Sequence, residues 1–129
     1  FPDILTVEGK HMLKKTAPFV PASEVCGVVE NVGADVKGFN VGDTVFGTSA
    51  TGSLAEYALM RPSAAYKLPP GVEPHVAAGL ELNYGTTWHG LVDVAHLAKG
   101  ETLLVLGAAG GVGMAAVDIG KALGATVVA

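Results

Sequence analysis

Four glycines between residues 107 and 113 offer the clearest chemistry in this sequence. The stretch Ala108–Gly113 (AAGGVG) matches the pattern G/A-x-G-x-x-G, with alanine in place of the first glycine. A glycine-rich turn from a buried strand into a helix directs backbone N–H groups at phosphate, at the positive end of the helix dipole. Gly110 would let a pyrophosphate approach the backbone, and Gly113 would let helix and strand pack closely. The predicted cofactor-contacting residues are Ala108, Gly110, Gly111, Val112 and Gly113.

The alternative is that these glycines serve only close packing of a helix on a sheet. That explanation accounts for Gly113 but hardly for all four glycines. The flanking pattern favours nucleotide binding, since Thr102–Leu106 is a continuous apolar run, typical of a strand buried on both faces. Residues 112–123 have helical periodicity, with Val112 on the apolar face and Gly124 at the C-cap, and a second strand starts at Thr126. The sequence therefore predicts a βαβ unit around the motif.

The first half of the chain has a different residue pattern, which is typical of β structure. Short strands are predicted between Gly, Asp and Asn turns; they are Val25–Val32, Val41–Phe46 and Ser53–Met60. A Pro-Gly stretch at 68–74 precedes a helical pattern from Glu73 to about His96. The predicted fold class is α/β, with a β domain at 1–82 and the start of a nucleotide-binding domain at 83–129.

The composition favours a small molecule as the binding partner over nucleic acid or a membrane. Eight basic and twelve acidic side chains are scattered without a run, which gives no footprint for nucleic acid. No apolar run approaches the ~18 residues of a membrane-spanning helix, and no targeting signal is visible. The single cysteine, Cys26, excludes an internal disulfide and suits the cytoplasm. We expect Cys26 to be a buried strand residue without a reactive thiolate.

Five stretches together resemble one family and cover nearly the whole chain in order. They are PDILTVEGKH, PFVPASEVCGVVENVGADVKGFNVGDTVFG, GSLAEYALM, YGTTWHGL and KGETLLVLGAAGGVGMAAVDIGKALGATVVA. The sequence is similar to the zinc-independent, zeta-crystallin-like quinone oxidoreductase branch of the medium-chain dehydrogenase/reductase superfamily. The resemblance implies a GroES-like β domain followed by a Rossmann domain, with NADPH bound in the cleft between them. It further implies hydride transfer to a quinone or related α,β-unsaturated carbonyl, and homo-oligomers of the full-length protein.

The same resemblance implies that no metal is bound. Zinc-dependent relatives have Gly-His-Glu where this chain has Ala22-Ser23-Glu24, and Ser23 cannot replace the ligating imidazole. The loop that holds a four-cysteine structural zinc in those relatives is also missing. No spacing typical of a zinc site connects the four histidines, which are His11, His75, His89 and His96.

Two site residues follow from the resemblance. His11 stands where the family has a tyrosine near the nicotinamide, so it is the candidate on the substrate side, although a solvated loop histidine fits the sequence equally well. Thr86, in YGTTWHGL, matches a position beside the nicotinamide and is assigned to both the catalytic and the cofactor-binding set; a helix cap or packing role is the alternative. Hydride transfer would then depend mainly on positioning, without a Lewis acid.

Only one βαβ unit is present, whereas a doubly wound sheet needs several parallel strands. We therefore expect the sequence to be an internal portion of a longer protein. The residue that selects NADPH over NADH normally lies ~20 residues past the glycine motif, beyond Ala129. Two alternatives to a quinone reductase remain open, namely an enoyl-thioester reductase and a non-catalytic relative on the same scaffold.

Overall fold

The chain folds as two units, Phe1–Gly79 and Leu80–Ala129, in a computed structural model that describes residues 2–49 and 52–129. The first unit consists of a short helix, three strands and a further helical turn; the second consists of two strands and the helices around them. The first unit is β-rich and the second is α/β, which is the predicted order.

An antiparallel sheet forms the centre of the first unit. Its strands, in the order β1-β2-β3, are Glu24–Val28, Thr44–Ser49 and Met60–Lys67. Phe46 of β2 pairs with Cys26 on one side and with Tyr66 on the other. The centroids of the Phe46 and Tyr66 rings are 5.7 Å apart. Helix α1 (Pro2–Val7) precedes the sheet, and α2 (Pro74–Ala77), which follows it, packs against β1 and β2.

The prediction of a strand at Ser53–Met60 is wrong, because β3 begins only at Met60. The stretch SLAEYALM has the alternating pattern of a strand, but its backbone forms a loop up to Met60. The amides of Ser53 and Leu54 both donate to the carbonyl of Pro21, at 3.1 and 3.2 Å. Backbone groups bound in this way are not available to a sheet ladder.

The loop residues Pro21–Glu24 are held by contacts from three sides. The Asp3 carboxylate accepts a hydrogen bond of 2.9 Å from the Ala22 amide, and the Ser49 amide donates to the Ser23 carbonyl at 2.6 Å. These bonds hold Ala22 at φ 65°, in the left-handed region that glycine favours. The segment that contains Ser23 therefore has a defined conformation maintained by α1 and β2.

The second unit contains the βαβ arrangement predicted around the glycine motif. Strands β4 (Thr102–Leu104) and β5 (Thr126–Val128) pair in parallel, and helix α4 (Gly111–Ala122) connects them. Before them come helix α3 (Glu81–Trp88) and a π-helical turn at His89–Val94. The α/β fold class is confirmed. No helix in the described ranges has the length and apolar character to cross a membrane.

Helix α4 covers one face of this strand pair. Its buried residues are Ala115, Ala116, Ile119 and Gly120. A Cβ on Gly120 would lie only 2.8 Å from Leu103 Cδ2 and 3.0 Å from Val127 Cγ2, so the helix meets the strands most closely there. Val112, predicted on this apolar face, is 49% exposed.

The prediction that the strand is buried on both faces does not hold in this unit. Leu104 and Val128 lie on the face of the strand pair opposite to Leu103 and Val127. Their exposed fractions are 63% and 49%. The reason is that the fully buried environment of a parallel strand requires helices on both faces, and α4 supplies one.

Replacing Ala22 by glycine tests the strain in the Pro21–Glu24 loop. Because the left-handed conformation costs a residue with a Cβ about 1–2 kcal/mol, we expect Ala22→Gly to raise the free energy of unfolding by about 1 kcal/mol, measured by urea denaturation. The control is Ala34→Gly at an exposed turn residue with no positive φ, which should be neutral or destabilising. Equal effects of the two substitutions would contradict the interpretation.

Candidate functional site

The glycine-rich turn connects β4 to α4. The Val105 amide, donating to the Val128 carbonyl at 2.8 Å, makes the last bond between the two strands. The chain then turns through Gly107, which has φ +75°, and the Gly110 amide donates to the Gly107 carbonyl at 3.1 Å. Helix α4 begins at Gly111 with Gly110 as its N-cap, in an extended conformation. This strand-turn-helix arrangement is the context that a phosphate-binding motif requires.

At two of the glycines, Gly111 and Gly113, a side chain would collide with neighbouring atoms. A Cβ on Gly113 would lie 2.8 Å from Ala108 Cα and would also clash with the Gly107 carbonyl. On Gly111 it would lie 2.6 Å from the amide oxygen of Asn83, in α3. Gly113 thus lets the helix approach its own turn, whereas the close contact with the strands, which the motif suggested for Gly113, is made by Gly120.

A side chain at Gly110 would not collide with any neighbouring atom. Its φ of −83° suits any residue, and a Cβ there would meet only the Gly107 carbonyl oxygen, at an ordinary contact distance of 3.5 Å. As the N-cap it offers no side chain to the first amides of α4; glycine is accepted at that position, but Ser, Asp and Asn are preferred there. Packing alone therefore explains Gly111 and Gly113 but not Gly110.

The residues of this turn fit the pyrophosphate of a dinucleotide. The bare N-cap leaves the backbone at the start of α4 accessible, and Gly110 and Gly111 are both exposed. Ala108 and Gly113 are half-buried beneath them. Because the first-turn amides lie at the positive end of the α4 dipole, an anionic group is stabilised there without any basic side chain.

Helix α3 packs against α4 through polar contacts that the sequence analysis missed. The hydroxyl of Thr87, which is only 5% exposed, lies 2.7 Å from the Asn83 carbonyl and 3.2 Å from the Val112 carbonyl. The Tyr84 hydroxyl donates a 2.6 Å hydrogen bond to the Asp118 carboxylate. The signal that could have indicated them is the i, i+3 spacing of Tyr84 and Thr87, which places two polar groups on one face of a helix.

Thr86 and Thr87 are adjacent but lie in different environments. Thr86 is exposed on α3, in the same unit as the glycine-rich turn, whereas Thr87 is buried against α4. The exposed position of Thr86 is compatible with contact to a ligand. The helix-packing role considered for Thr86 belongs instead to Thr87.

His11 belongs to the first unit, in the segment after α1. It is half-buried, and its Nδ1 accepts a hydrogen bond of 3.1 Å from the Leu13 amide. That bond requires Nδ1 to be unprotonated, so a neutral imidazole here carries its proton on Nε2.

Cys26 lies on β1 and is half-buried. Burial raises the pKa of its thiol, so the thiolate fraction at neutral pH is reduced. Across residues 2–49 and 52–129, no three His, Cys, Asp or Glu side chains form a group that could hold a metal ion.

Residues 1–70 match the alcohol dehydrogenase GroES-like domain. The chain belongs to this family. Among curated proteins it is similar to a quinone oxidoreductase of Pongo abelii, with 41% identity over 120 residues, which are 92% of this chain and 36% of that protein. This GroES-like chain thus spans roughly a third of its relative's length, and the resemblance to quinone oxidoreductases is confirmed.

Solved structures of similar proteins agree with the family. A probable oxidoreductase from Mycobacterium abscessus matches with a TM-score of 0.91 and 41% identity, over 98% of this chain and 41% of that one. The quinone oxidoreductase of Thermus thermophilus, solved also as its NADPH complex, has a TM-score of 0.79 and 33% identity over 98% and 39% of the two chains. The CurK enoyl reductase has a TM-score of 0.80 and 28% identity over 97% and 40%.

Alanine substitutions separate the glycines required for packing from Gly110. We expect Gly113→Ala to lower the free energy of unfolding by about 1–3 kcal/mol, because its Cβ would overlap the turn backbone. Gly110→Ala should lower it by only about 0.5–1 kcal/mol, since the space is open and the loss is that of glycine for alanine at an N-cap. Urea denaturation of both variants measures the difference; a loss of stability in Gly110→Ala as large as that in Gly113→Ala would show that Gly110 also serves packing.

Proposed function

We propose that the protein transfers hydride from NADPH to a quinone or a related α,β-unsaturated carbonyl, with the turn at 107–113 binding the cofactor pyrophosphate. The observation that carries this proposal is the bare N-cap of α4: Gly110 has open space where its Cβ would be, and no packing contact requires that space. Close approach of a pyrophosphate to the backbone does require it. The similarity to quinone oxidoreductases, one of them solved with NADPH, supports the same function.

Different residues of the chain would bind the cofactor and position the substrate. The first amides of α4 would hold the pyrophosphate, and Thr86, exposed on α3, would lie beside the nicotinamide. His11 would contact the substrate, with an Nε2 proton available to a carbonyl oxygen. The cofactor supplies the hydride when bound, and the protein holds donor and acceptor in contact so that transfer becomes effectively unimolecular.

We propose that this chemistry needs no zinc. Ser23 stands where zinc-dependent relatives have histidine, and the 2.6 Å bond from the Ser49 amide holds its carbonyl in the loop described above. A serine hydroxyl at that position is a poor zinc ligand in comparison with an imidazole. We further propose that the full-length protein acts in the cytoplasm as a homo-oligomer on small-molecule substrates.

An enoyl-thioester reductase is the second candidate, favoured by the similarity to the CurK enoyl reductase. The same turn would bind the same cofactor, so the acceptor alone distinguishes the two activities. The ratio of kcat/KM for a quinone to that for a crotonyl thioester decides between them in the full-length protein. A non-catalytic relative would oxidise NADPH with neither acceptor.

Binding of NADPH to Gly110→Ala tests the assignment of the turn. We expect the Kd to rise about tenfold, because a methyl group at the N-cap keeps the pyrophosphate from the backbone. Gly90→Ala is the matched control, since this glycine of the same unit also has open space around its Cβ but lies outside the turn. Calorimetric titration of both variants gives the comparison, and an unchanged Kd for Gly110→Ala would contradict the proposed site.

Chelation tests the metal-free mechanism. NADPH oxidation with a quinone acceptor by the full-length protein should keep its rate after exhaustive dialysis against a chelator, because positioning replaces the Lewis acid. Metal analysis of the dialysed sample serves as the control for complete removal. Activity that is abolished by chelation and restored by zinc would overturn the assignment.

A further inference from the structure

We propose that Tyr84 and Asp118 are positioning residues for the pyrophosphate-binding turn, acting through the packing of α3 on α4. The inference rests on the proposed nucleotide-binding role of that turn. It assigns a function to a hydrogen bond that lies away from the motif, between residues 34 positions apart in sequence.

Helix α3 contacts α4 at two levels, and the first level is the first turn of α4. The Asn83 side chain lies against Gly111, where a Cβ would come within 2.6 Å of its amide oxygen and displace it. The Thr87 hydroxyl lies 3.2 Å from the Val112 carbonyl. These two contacts bear directly on the residues whose amides would face the pyrophosphate, so the placement of α3 affects the geometry of the site.

The second level is the contact between Tyr84 and Asp118, well beyond the first turn of α4. Gly111 and Asp118 are separated by about 10 Å along the axis at about 1.5 Å per residue. Contacts at two well-separated levels restrain the tilt of one helix against another, which contacts at a single level cannot do. Tyr84 is adjacent to Asn83 in α3, so a shift at the Tyr84 contact is transmitted to the Asn83 contact at Gly111.

The chemistry of this bond suits a positioning role better than a stabilising one. A hydroxyl that donates to a carboxylate at 2.6 Å is a short, charge-assisted hydrogen bond with a defined direction. Asp118 is nevertheless exposed and Tyr84 only half-buried. Solvent competes for both groups at such a site, so the bond contributes modestly to stability, and it favours one orientation of the helices by the same modest free energy.

The bond also supplies its own spectroscopic reporter. The Asp118 carboxylate accepts a hydrogen bond from the Tyr84 hydroxyl and so raises the pKa of the phenol, with a smaller contribution from burial. Removing the carboxylate should therefore lower the pKa of Tyr84 towards that of an ordinary tyrosine. Ultraviolet absorbance of the phenolate reads this change directly, and the component that disappears in Tyr84→Phe is the signal of Tyr84.

The experiment measures nucleotide affinity of the full-length protein carrying Tyr84→Phe, Asp118→Ala or Asp118→Asn. We expect Tyr84→Phe and Asp118→Ala to raise the Kd for NADPH about threefold to tenfold, with a smaller effect for Asp118→Asn because the amide oxygen still accepts the hydrogen bond. The Tyr84→Phe and Asp118→Ala effects should not add in the double variant, since both remove the same bond. The matched control is Tyr57→Phe, which removes the hydroxyl of a tyrosine that is 72% exposed in the first unit.

Fragments of the cofactor show whether the effect reaches the turn. The fold loss should be the same for NADPH and for 2′-phospho-ADP-ribose, which keeps the pyrophosphate, and smaller for 2′,5′-adenosine bisphosphate, which lacks it. The kcat at saturating NADPH and the KM for quinone should stay within about twofold of the unaltered protein, because the bond lies away from the reacting atoms. A purely structural role would instead lower the unfolding midpoint and leave the relative affinities for the fragments unchanged.

The outcomes separate the two proposals. If the unaltered protein binds no NADPH, the proposed function fails, and this inference fails with it. If it binds NADPH and the absorbance titration shows the pKa of Tyr84 falling in Asp118→Ala, but all Kd values stay within about twofold, the positioning role alone is overturned. A Kd change equal for all three ligands would also overturn it, because the effect would then not involve the pyrophosphate.

Discussion

The close approach of helix α4 to the backbone around it is the constraint on which the second unit depends. The helix touches its own entry turn at Gly113 and the two parallel strands at Gly120, and in both places a Cβ would lie within 3 Å of other atoms. A Cβ at Gly113 would overlap backbone atoms, and one at Gly120 would force the side chains of Leu103 and Val127 to move. Because the helix lies so close, its N-terminus is held directly after the end of β4, where an anionic ligand can reach it.

The first unit has a comparable constraint in the loop Pro21–Glu24. Its backbone bonds to Ser49, Ser53 and Leu54 tie it to β2 and the segment that follows, and Asp3 binds it from α1. The left-handed conformation at Ala22 is maintained by these bonds, although alanine does not favour it. Ser23, on which the proposal of a zinc-free mechanism rests, thus lies in a segment of defined geometry.

Polar contacts between the helices give the second unit a property that apolar burial does not. Three of the four buried residues of α4 are alanine or glycine, whose small side chains offer few interlocking contacts to a neighbouring helix. Directional bonds from Thr87 and Tyr84 restrict that orientation. The turn proposed to bind the nucleotide is consequently supported by side chains that lie outside the glycine motif.

The family and the order of β and α/β structure could be predicted from the sequence, because they depend on local features. Glycines at fixed spacing, an apolar run before them and helical periodicity after them are each visible within about twenty residues. Errors arose where local pattern and tertiary pairing disagree. The stretch Ser53–Met60 alternates like a strand, yet the amides of Ser53 and Leu54 donate to the Pro21 carbonyl. Val112 follows the helical period of the buried face, yet it lies half-exposed at the mouth of the turn.

The sequence by itself determined the chemistry that the backbone can offer, namely a bare turn before a helix, because glycine acts through its own φ and its missing side chain. Only the tertiary structure decided which glycine serves which purpose. Gly113 is required by the backbone of the turn, Gly111 and Gly120 lie against side chains of α3 and the strands, and Gly110 has no contact of either kind closer than 3.5 Å. The same holds for Asp3 with Ala22 and for Tyr84 with Asp118. Contacts between residues so distant in sequence arise only when the fold brings their elements together, and no local periodicity encodes them.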